Sequence, residues 1–534
     1  MSESSLYPTS ASASASASAF STPLTQPVSW LSSTRWFWGV LALVTFWKVI
    51  AACKLGLIFD ECYYWEWSCH PQACYFDHPP LTAWLIDSAR MFLGHTTLAV
   101  RFWAILSGIL LSLAGRELGK DLFGQAAGNR AGILLLLAPI FAGNALLMTP
   151  DTFLVPSWAF AVLFAWRGYR EGGGMGWWVA AGTAAGIGML SKYTMVLYYG
   201  ALLILWIFSP GRRRQLLAGI TMAGLLSLLI FLPVLWWNSR HDWVSFTHQL
   251  HHGFRNEHPS LINFQNLGDY SAFLVVLVSP ILGLLCFRTA LTRMTDPRFR
   301  FLGVFFWTVV LFFAYSAAKA HIEANWPMAA FITALVMVAG DWENYVAGWR
   351  KAAIIILLIA DIGAVIGVSN LLLPKDSPFS VRNFAPDLSY MEKVPGLSKL
   401  EAPVKQGLSD FQTRIEEFLG PEAVARTIEE NFRSSGADFI CLSTYQLTGV
   451  ISFYAPTLEP QLWLPDHGRS RFPWINDTAW AGKTALLAAW PRISNCSQDL
   501  FSEFSTQHPV LVPGTRSPLF LSIGKSYKPE NARP

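Results

Sequence analysis

The chain has 534 residues, of which 53% are hydrophobic and 14% are charged, against about 25% charged residues in a typical soluble domain. A soluble protein cannot bury that much apolar surface, so the composition excludes a soluble globular fold and requires a lipid bilayer as the solvent. The formal net charge of +4 is small and gives no indication of nucleic-acid binding.

A polar tail precedes the apolar part of the chain. Residues 1–30 contain an Ala-Ser repeat with nothing to bury, which predicts a disordered cytoplasmic tail. Between residues 31 and 373, apolar runs close to the roughly 20 residues of a spanning helix predict about eleven transmembrane helices. The runs lie near 36–53, 82–114, 131–148, 152–166, 176–190, 194–208, 215–236, 269–287, 301–317, 326–340 and 351–373.

The basic residues predict the orientation of these spans, because cytoplasmic loops are enriched in Lys and Arg. The loops on the other side carry few basic residues but several unusual polar ones. They hold the segment from Asp60 to His78, then Asp151, Lys192, the segment 237–268 and the segment 319–326. The richly basic set, which we expect to be cytoplasmic, contains Arg116, Lys120, Arg130, Arg167, Arg170, Arg212, Arg213, Arg214, Arg288, Arg293, Arg298, Arg300, Arg350 and Lys351.

The hydropathy falls after the last apolar run. With an odd number of spans, residues 374–534 are expected to form an extracytoplasmic domain, and their mixed periodicity predicts a small α/β fold. The predicted helices lie at 411–432 and 446–454, and the predicted strands at 438–442, 484–490 and 519–523.

The strongest candidate site follows the first span, in residues 59–81, which we name the first external segment. Its adjacent carboxylates, Asp60 and Glu61, lie among aromatic side chains, an environment that suits a partly desolvated general base. Tyr63 and Tyr64 offer faces for stacking against a sugar or a prenyl chain. Aromatic residues also anchor helices at membrane interfaces, so the aromatics alone do not indicate a site.

Further candidates lie at later breaks between spans. Asp151 either orients an acceptor or serves as a helix N-cap, and both roles fit its position after a proline. Lys192 is a candidate phosphate ligand, with snorkelling to the lipid headgroups as the alternative. Lys319 and His321 can bind the same phosphate, or they can simply pair with Glu323.

Two arginines and a group of imidazoles complete the candidates. Arg240 and Arg255 lie in the segment 237–268 and can reach a phosphate, an indication that rests on charge alone. Cys69 and Cys74 either form a local disulfide or stay unpaired. A divalent metal ion is a possible cofactor, with Asp77 and His251 as the first candidate ligands. The full set of candidate ligands is Asp77, His78, His248, His251 and His252.

Five short motifs along the chain resemble a known family. The Asp60-Glu61 pair and the sequence Tyr-Phe-Asp-His-Pro-Pro-Leu at 75–81 resemble the dolichyl- and polyprenyl-phosphate-sugar transferases. This family includes the protein O-mannosyltransferases and the lipid A aminoarabinose transferase. The resemblance continues through residues 147–152, 191–194 and 319–327, and it covers roughly residues 36–340.

The resemblance implies the GT-C fold of integral-membrane glycosyltransferases, with an extracytoplasmic site in the inner membrane. It implies transfer of a sugar from a polyprenyl-phosphate donor to lipid A, another envelope glycan or a protein, with inversion at the anomeric carbon. Asp60 matches the first aspartate of the family and is implied as the general base, while Asp151 is implied to orient the acceptor. His78 departs from the Glu-Lys-Pro step of the aminoarabinose transferase, which weakens the implied phosphate contact at that position.

A transporter or flippase for a lipid-linked saccharide is the competing hypothesis. Transporters often contain internal repeats and charges near the membrane midplane. In this sequence the polar candidates instead lie at the ends of spans on one face, and this placement favours a catalytic cleft.

Overall fold

A computed structural model describes residues 33–254, 262–345, 420–463, 473–474, 477–490, 500–506, 508–512 and 518–529. Within these residues, a bundle of helices is followed by a smaller domain built on a mixed sheet. The predicted tail at 1–30, the apolar run at 351–373 and the domain boundary predicted after residue 373 lie outside the described residues.

Helices form almost all of the described chain up to residue 340. Of the eleven predicted apolar runs, ten fall on helices in the described residues. The helices are α1 (Thr34–Lys54), α2 (Phe59–Cys69), α3 (Leu81–Leu93), α4 (Thr97–Phe123), α5 (Gln125–Leu137), α6 (Pro139–Asn144), α7 (Asp151–Tyr169), α8 (Met175–Ser191), α9 (Leu197–Ile207), α10 (Arg213–Arg240), α11 (Val244–Phe254), α12 (Phe264–Val276), α13 (Pro280–Thr292), α14 (Pro297–Ala317) and α15 (Met328–Gly340).

Several of these helices can cross a membrane. By length and composition, four of the described helices qualify alone, namely α1, α4, α10 with its preceding turn, and α14. The pair α12 and α13 qualifies together, bent by 99° at a break where Ser279 has a φ of 95°. The shorter α15 is apolar on every side and buried along its length, as expected of a helix at the centre of a bundle. The predicted polytopic α-helical membrane protein is thus confirmed.

Two local predictions are wrong. Part of the first external segment folds as α2 rather than as a loop, with both acids in its first turn, where the helix dipole favours negative charge. The prediction of one helix for each apolar run also fails, because the runs 82–114, 131–148 and 269–287 each contain two helices. Gly94, with a φ of 65°, ends α3, and the Thr96 side chain caps α4 by accepting a hydrogen bond from the Ala99 amide at 3.1 Å.

The small domain contains two helices and six strands in the described residues. The strands predicted at 438–442, 484–490 and 519–523 and the helix predicted at 446–454 are confirmed. Only the second half of the helix predicted at 411–432 is described. The elements are α16 (Pro421–Ser435), β1 (Phe439–Leu442), α17 (Tyr445–Tyr454), β2 (Leu462–Trp463), β3 (Ala485–Ala489), β4 (Glu503–Phe504), β5 (His508–Leu511) and β6 (Pro518–Lys525).

These strands form one mixed sheet. β1 lies between β2 and β3 and runs parallel to both, with Phe439 opposite Ala485 in the second pair. β6 is antiparallel to β3 on one edge and to β4 and β5 on the other. Helices α16 and α17 pack together beside this sheet, and α17 also packs against α2 of the bundle. The sheet therefore supports a helix that reaches the first external segment.

Candidate active site

A cavity of about 900 Å³ opens where one end of the helical bundle meets the small domain. Its walls come from elements far apart in sequence, including α2, the turn before α3, the start of α7, the break after α8, α11 and the start of α17. The cavity brings together eight of the predicted site residues, namely Asp60, Tyr63, Tyr64, Asp77, His78, Asp151, Lys192 and His248.

Asp60 lies in the first turn of α2 and is half-buried. Burial raises the pKa of its carboxyl, and the neighbouring carboxylates of Asp77 and Glu323 raise it further. The neighbouring Gln446 side chain acts in the opposite direction and lowers the pKa. The net effect is a raised pKa, so Asp60 is a stronger base than an exposed aspartate once it is ionised.

Asp77 is held from two sides. The Tyr63 hydroxyl donates to Asp77 Oδ2 at 2.5 Å, and His248 Nε2 lies 3.2 Å from Asp77 Oδ1. The Gln249 side chain donates to the Asp77 backbone carbonyl at 2.6 Å. These contacts join the first external segment to α11. Tyr63 thus fixes a carboxylate in the cavity wall, a role that its aromatic ring did not reveal in the sequence.

Asp151 and Lys192 form a buried ion pair. Lys192 Nζ donates to Asp151 Oδ1 at 2.8 Å and to Oδ2 at 2.9 Å, and the Asn325 amide donates to Oδ2 at 2.8 Å. Asp151 is the first residue of α7, where the helix dipole favours a carboxylate. Lys192 is the extended residue that ends α8. The ion pair therefore ties two helix ends together at the cavity.

Comparison with known proteins assigns the fold and shows which family the chain resembles. A model of the dolichyl-phosphate-mannose-protein mannosyltransferases matches residues 77–237. Lipid A galacturonosyltransferase RgtD of Rhizobium johnstonii is 25% identical over 343 residues, 62% of this chain and 68% of that protein. Crystal structures of ArnT from Cupriavidus metallidurans, apo and bound to undecaprenyl phosphate, match with TM-scores of 0.61 and 0.63 at 17% identity. The two matches cover 92% and 93% of this chain, respectively, and 98% of each ArnT chain.

The protein is a membrane glycosyltransferase with the GT-C fold, and it is similar to the polyprenyl-phosphate-sugar transferases. The resemblance and the fold class predicted from the motifs are thereby confirmed. The similarity to the ArnT structures extends over the small domain as well as the helical bundle, since it covers more than nine tenths of the chain.

Glu61 of this glycosyltransferase points away from the cavity. Its carboxylate accepts from Arg101 Nε at 2.9 Å and from Arg101 Nη2 at 2.5 Å, and both side chains are fully buried. The backbone amides of Ile58 and Met148 also donate to it, at 3.2 and 3.1 Å. Arg101 in turn donates to the carbonyls at the end of α1. These contacts favour a structural role for Glu61 over the predicted catalytic one.

Four other predicted ligands do not line the cavity of the glycosyltransferase. Lys319 Nζ lies 4.4 Å from the centre of the Tyr315 ring, and Arg240 lies 5.8 Å from that of Trp236. His321 and His251 are exposed. Arg255 is outside the described residues. The charge of these residues suggested a common site, but the four described side chains lie outside the cavity lining.

The metal and disulfide hypotheses find no support in the described part of the chain. No group of three or more His, Cys, Asp or Glu side chains is close enough to hold an ion among these residues. Cys69 and Cys74 are not joined. Cys69 Sγ accepts from Arg90 Nη1 at 2.6 Å, and Cys74 Sγ lies 3.4 Å from the Tyr193 hydroxyl.

Among the cavity residues that sequence reasoning did not name are Asn325, Tyr445 and Gln446. Asn325 lies within the matching motif at 319–327, so the motif could have indicated it. Tyr445 and Gln446 are uncharged and belong to the small domain, which the motifs do not cover. Only the docking of α17 against α2 brings them to Asp60.

Proposed function

We propose that this glycosyltransferase moves a sugar from a polyprenyl-phosphate donor to a hydroxyl group of an envelope acceptor, which is lipid A, another glycan or a protein. The reaction takes place at the periplasmic face of the inner membrane, inverts the anomeric carbon and uses Asp60 as the general base. The observation that carries this proposal is a partly buried carboxylate of raised pKa, in a cavity that is polar at one part and apolar at another.

The lining of the cavity supports a lipid-linked donor. Its polar part carries Asp60, Asp77 and the pair of Asp151 with Lys192. Its apolar part is formed by Met189, Leu197, Phe231, Phe246, Phe312 and Phe313. Val196 and Leu250 also belong to it and are 54% and 61% exposed, on helices of a membrane protein. A prenyl chain fits an apolar opening of this kind, while the attached sugar phosphate needs the polar part.

Lys192 is the cation best placed to stabilise the leaving phosphate. An ammonium group has three donors, and Asp151 receives two of them. The third can donate to a phosphate oxygen while Asp151 holds the ammonium in place. The relatives support such a donor, since one ArnT structure contains undecaprenyl phosphate. RgtD, named for lipid A, supports an envelope acceptor.

Asp60 removes the proton of the attacking hydroxyl in this proposal. The base works only when it is ionised, and its pKa is raised, so transfer should increase with pH through the pKa of Asp60. Asp60→Asn keeps the size of the side chain but removes the base, and we expect it to lower transfer by about 100-fold or more.

Mass spectrometry of envelope lipids and glycans tests the proposal in cells. Cells with the wild-type protein are compared with cells that lack it and with cells that carry Asp60→Asn. Asp87→Asn is the matched control, because Asp87 pairs with Arg90 on α3 and does not line the cavity. We expect a sugar on one acceptor class to disappear without the protein and with Asp60→Asn, and to remain with Asp87→Asn. If the acceptor is fully modified in cells that carry Asp60→Asn, Asp60 is not the general base.

A further inference from the structure

The small domain supplies two side chains to the cavity. Tyr445 and Gln446 are the first two residues of α17 and line the cavity together with Asp60. The Tyr445 and Tyr63 ring centres lie 4.5 Å apart, and the Gln446 side chain is close enough to Asp60 to lower the pKa of its carboxyl. We propose that Gln446 is a positioning residue for Asp60, so that the small domain completes the catalytic site. This inference rests on the proposed function, which makes Asp60 the base.

Close backbone packing holds α17 against α2. A Cβ atom on Gly449 would lie 2.6 Å from the backbone of Cys62 and Tyr63, so only glycine allows the two helices to approach this closely. The far end of α17 is also tied down, because the Leu57 amide donates to the Tyr454 hydroxyl at 2.7 Å. Asp60 and Gln446 therefore belong to one rigid helix pair, even though their helices belong to different domains.

Side chains reinforce the same contact. Phe453 packs edge-on against Trp65, with 5.2 Å between the ring centres. His95 Nε2 donates to the Phe453 carbonyl at 2.8 Å, and Val450 is buried in the same cluster as Cys62. The first turn of α17 thus has a fixed position relative to Asp60, as a positioning residue requires.

The amide of Gln446 suits this role chemically. An ionised carboxylate accepts hydrogen bonds only, so the Gln446 amide must act as the donor to Asp60. The bond stabilises the ionised form of Asp60 against burial and against the nearby carboxylates of Asp77 and Glu323. It also fixes the direction of the carboxylate oxygen that receives the proton. Without Gln446, Asp60 would hold its own proton to a higher pH.

The pH dependence of kcat/KM tests the inference. We compare wild type with Gln446→Leu, using the full-length protein in proteoliposomes with the donor lipid and acceptor identified by mass spectrometry. Loss of a hydrogen bond to a carboxylate should shift the acidic limb of the profile to higher pH by about one to two units, and high pH should restore transfer. Gln446→Glu retains a polar side chain and adds a negative charge, so it should shift the limb at least as far.

Two controls separate the possible outcomes. Thr448→Val changes a buried residue of α17 that does not line the cavity, and we expect it to leave the profile unchanged. An unchanged limb in both Gln446 variants, or a loss of transfer that high pH does not relieve, overturns the inference. If Asp60→Asn itself retains transfer, the proposed function fails instead. If Asp60→Asn abolishes transfer while both Gln446 variants keep the wild-type limb, only the further inference fails.

Discussion

Asp60 and Glu61 are neighbours in sequence, but they have opposite environments. Asp60 faces the cavity and has a raised pKa, whereas Glu61 is fully buried against Arg101. Successive residues of a helix point about 100° apart, so one acid of the pair can serve the site while the other braces the fold. The sequence showed two acids in an unusual place, but it could not show which of them faces outward.

Removal of Glu61 should therefore affect stability more than chemistry. Glu61→Ala leaves the Arg101 guanidinium buried without its carboxylate, which should lower the free energy of unfolding by about 3–5 kcal/mol. Thermal unfolding in detergent measures this loss. Asp87→Ala breaks a partly exposed pair with Arg90, which is worth at most about 1 kcal/mol, and provides the matched control. Equal melting temperatures for the two variants would contradict the structural role of Glu61.

The Asp151–Lys192 pair permits a similar separation of roles. Lys192→Met alone should destabilise the fold, since it leaves Asp151 buried and uncompensated, and it should also weaken donor binding. The double variant Lys192→Met with Asp151→Asn removes both charges and should recover most of the melting temperature. If Lys192 binds phosphate, kcat/KM for the donor stays low in the double variant. Recovery of both quantities would assign the lysine to the ion pair alone.

Charge that is costly near a membrane led from the sequence to three residues that line the cavity. Asp60, Asp151 and Lys192 stand out for that reason, and all three line the cavity. Lys319, His321 and Arg240 stand out equally, yet they lie elsewhere, because charge does not reveal the direction in which a side chain points. Gln446 carries no charge and gave no signal.

At the scale of secondary-structure elements, short and broken helices shape the site. Asp77 lies in the turn before α3, Asp151 at the start of α7, and Lys192 at the break after α8. Hydropathy predicted where the apolar runs lie, because burial in lipid determines their composition. It did not predict α2, since a short aromatic helix outside the spans has no distinct hydropathy signal.

The contact between α17 and α2 gives a prediction at this scale. Gly449→Ala places a methyl group against the backbone of α2, so the helices must separate, which should lower the free energy of unfolding by about 1–3 kcal/mol. Transfer should fall as well, because Gln446 moves with α17. Gly268→Ala on α12 meets no atom within 4 Å and provides the control, with stability unchanged or slightly raised. Melting curves and transfer rates that are the same for both variants would contradict the close packing.

At the scale of the whole molecule, the motifs indicated a resemblance to the polyprenyl-phosphate-sugar transferases and hence the helical bundle, and the comparisons confirm the resemblance and the fold. The small domain was predicted as an α/β fold from its periodicity, and its sheet confirms this. Its position over the site could not be predicted. Packing between distant segments depends on surfaces such as Gly449 against Cys62, which leave no periodic pattern in the sequence.

The central claim is that the protein transfers a sugar with Asp60 as the base, rather than moving a lipid-linked sugar across the bilayer. The most direct measurement follows a labelled polyprenyl-phosphate sugar in proteoliposomes, recording both transfer to the acceptor and movement between leaflets. We predict transfer by wild type and by Asp87→Asn, and a loss of about 100-fold or more in Asp60→Asn with donor binding retained. If Asp60→Asn transfers the sugar at the wild-type rate, Asp60 is not the base. If the wild-type protein moves the lipid between leaflets without any transfer, the protein is a transporter instead.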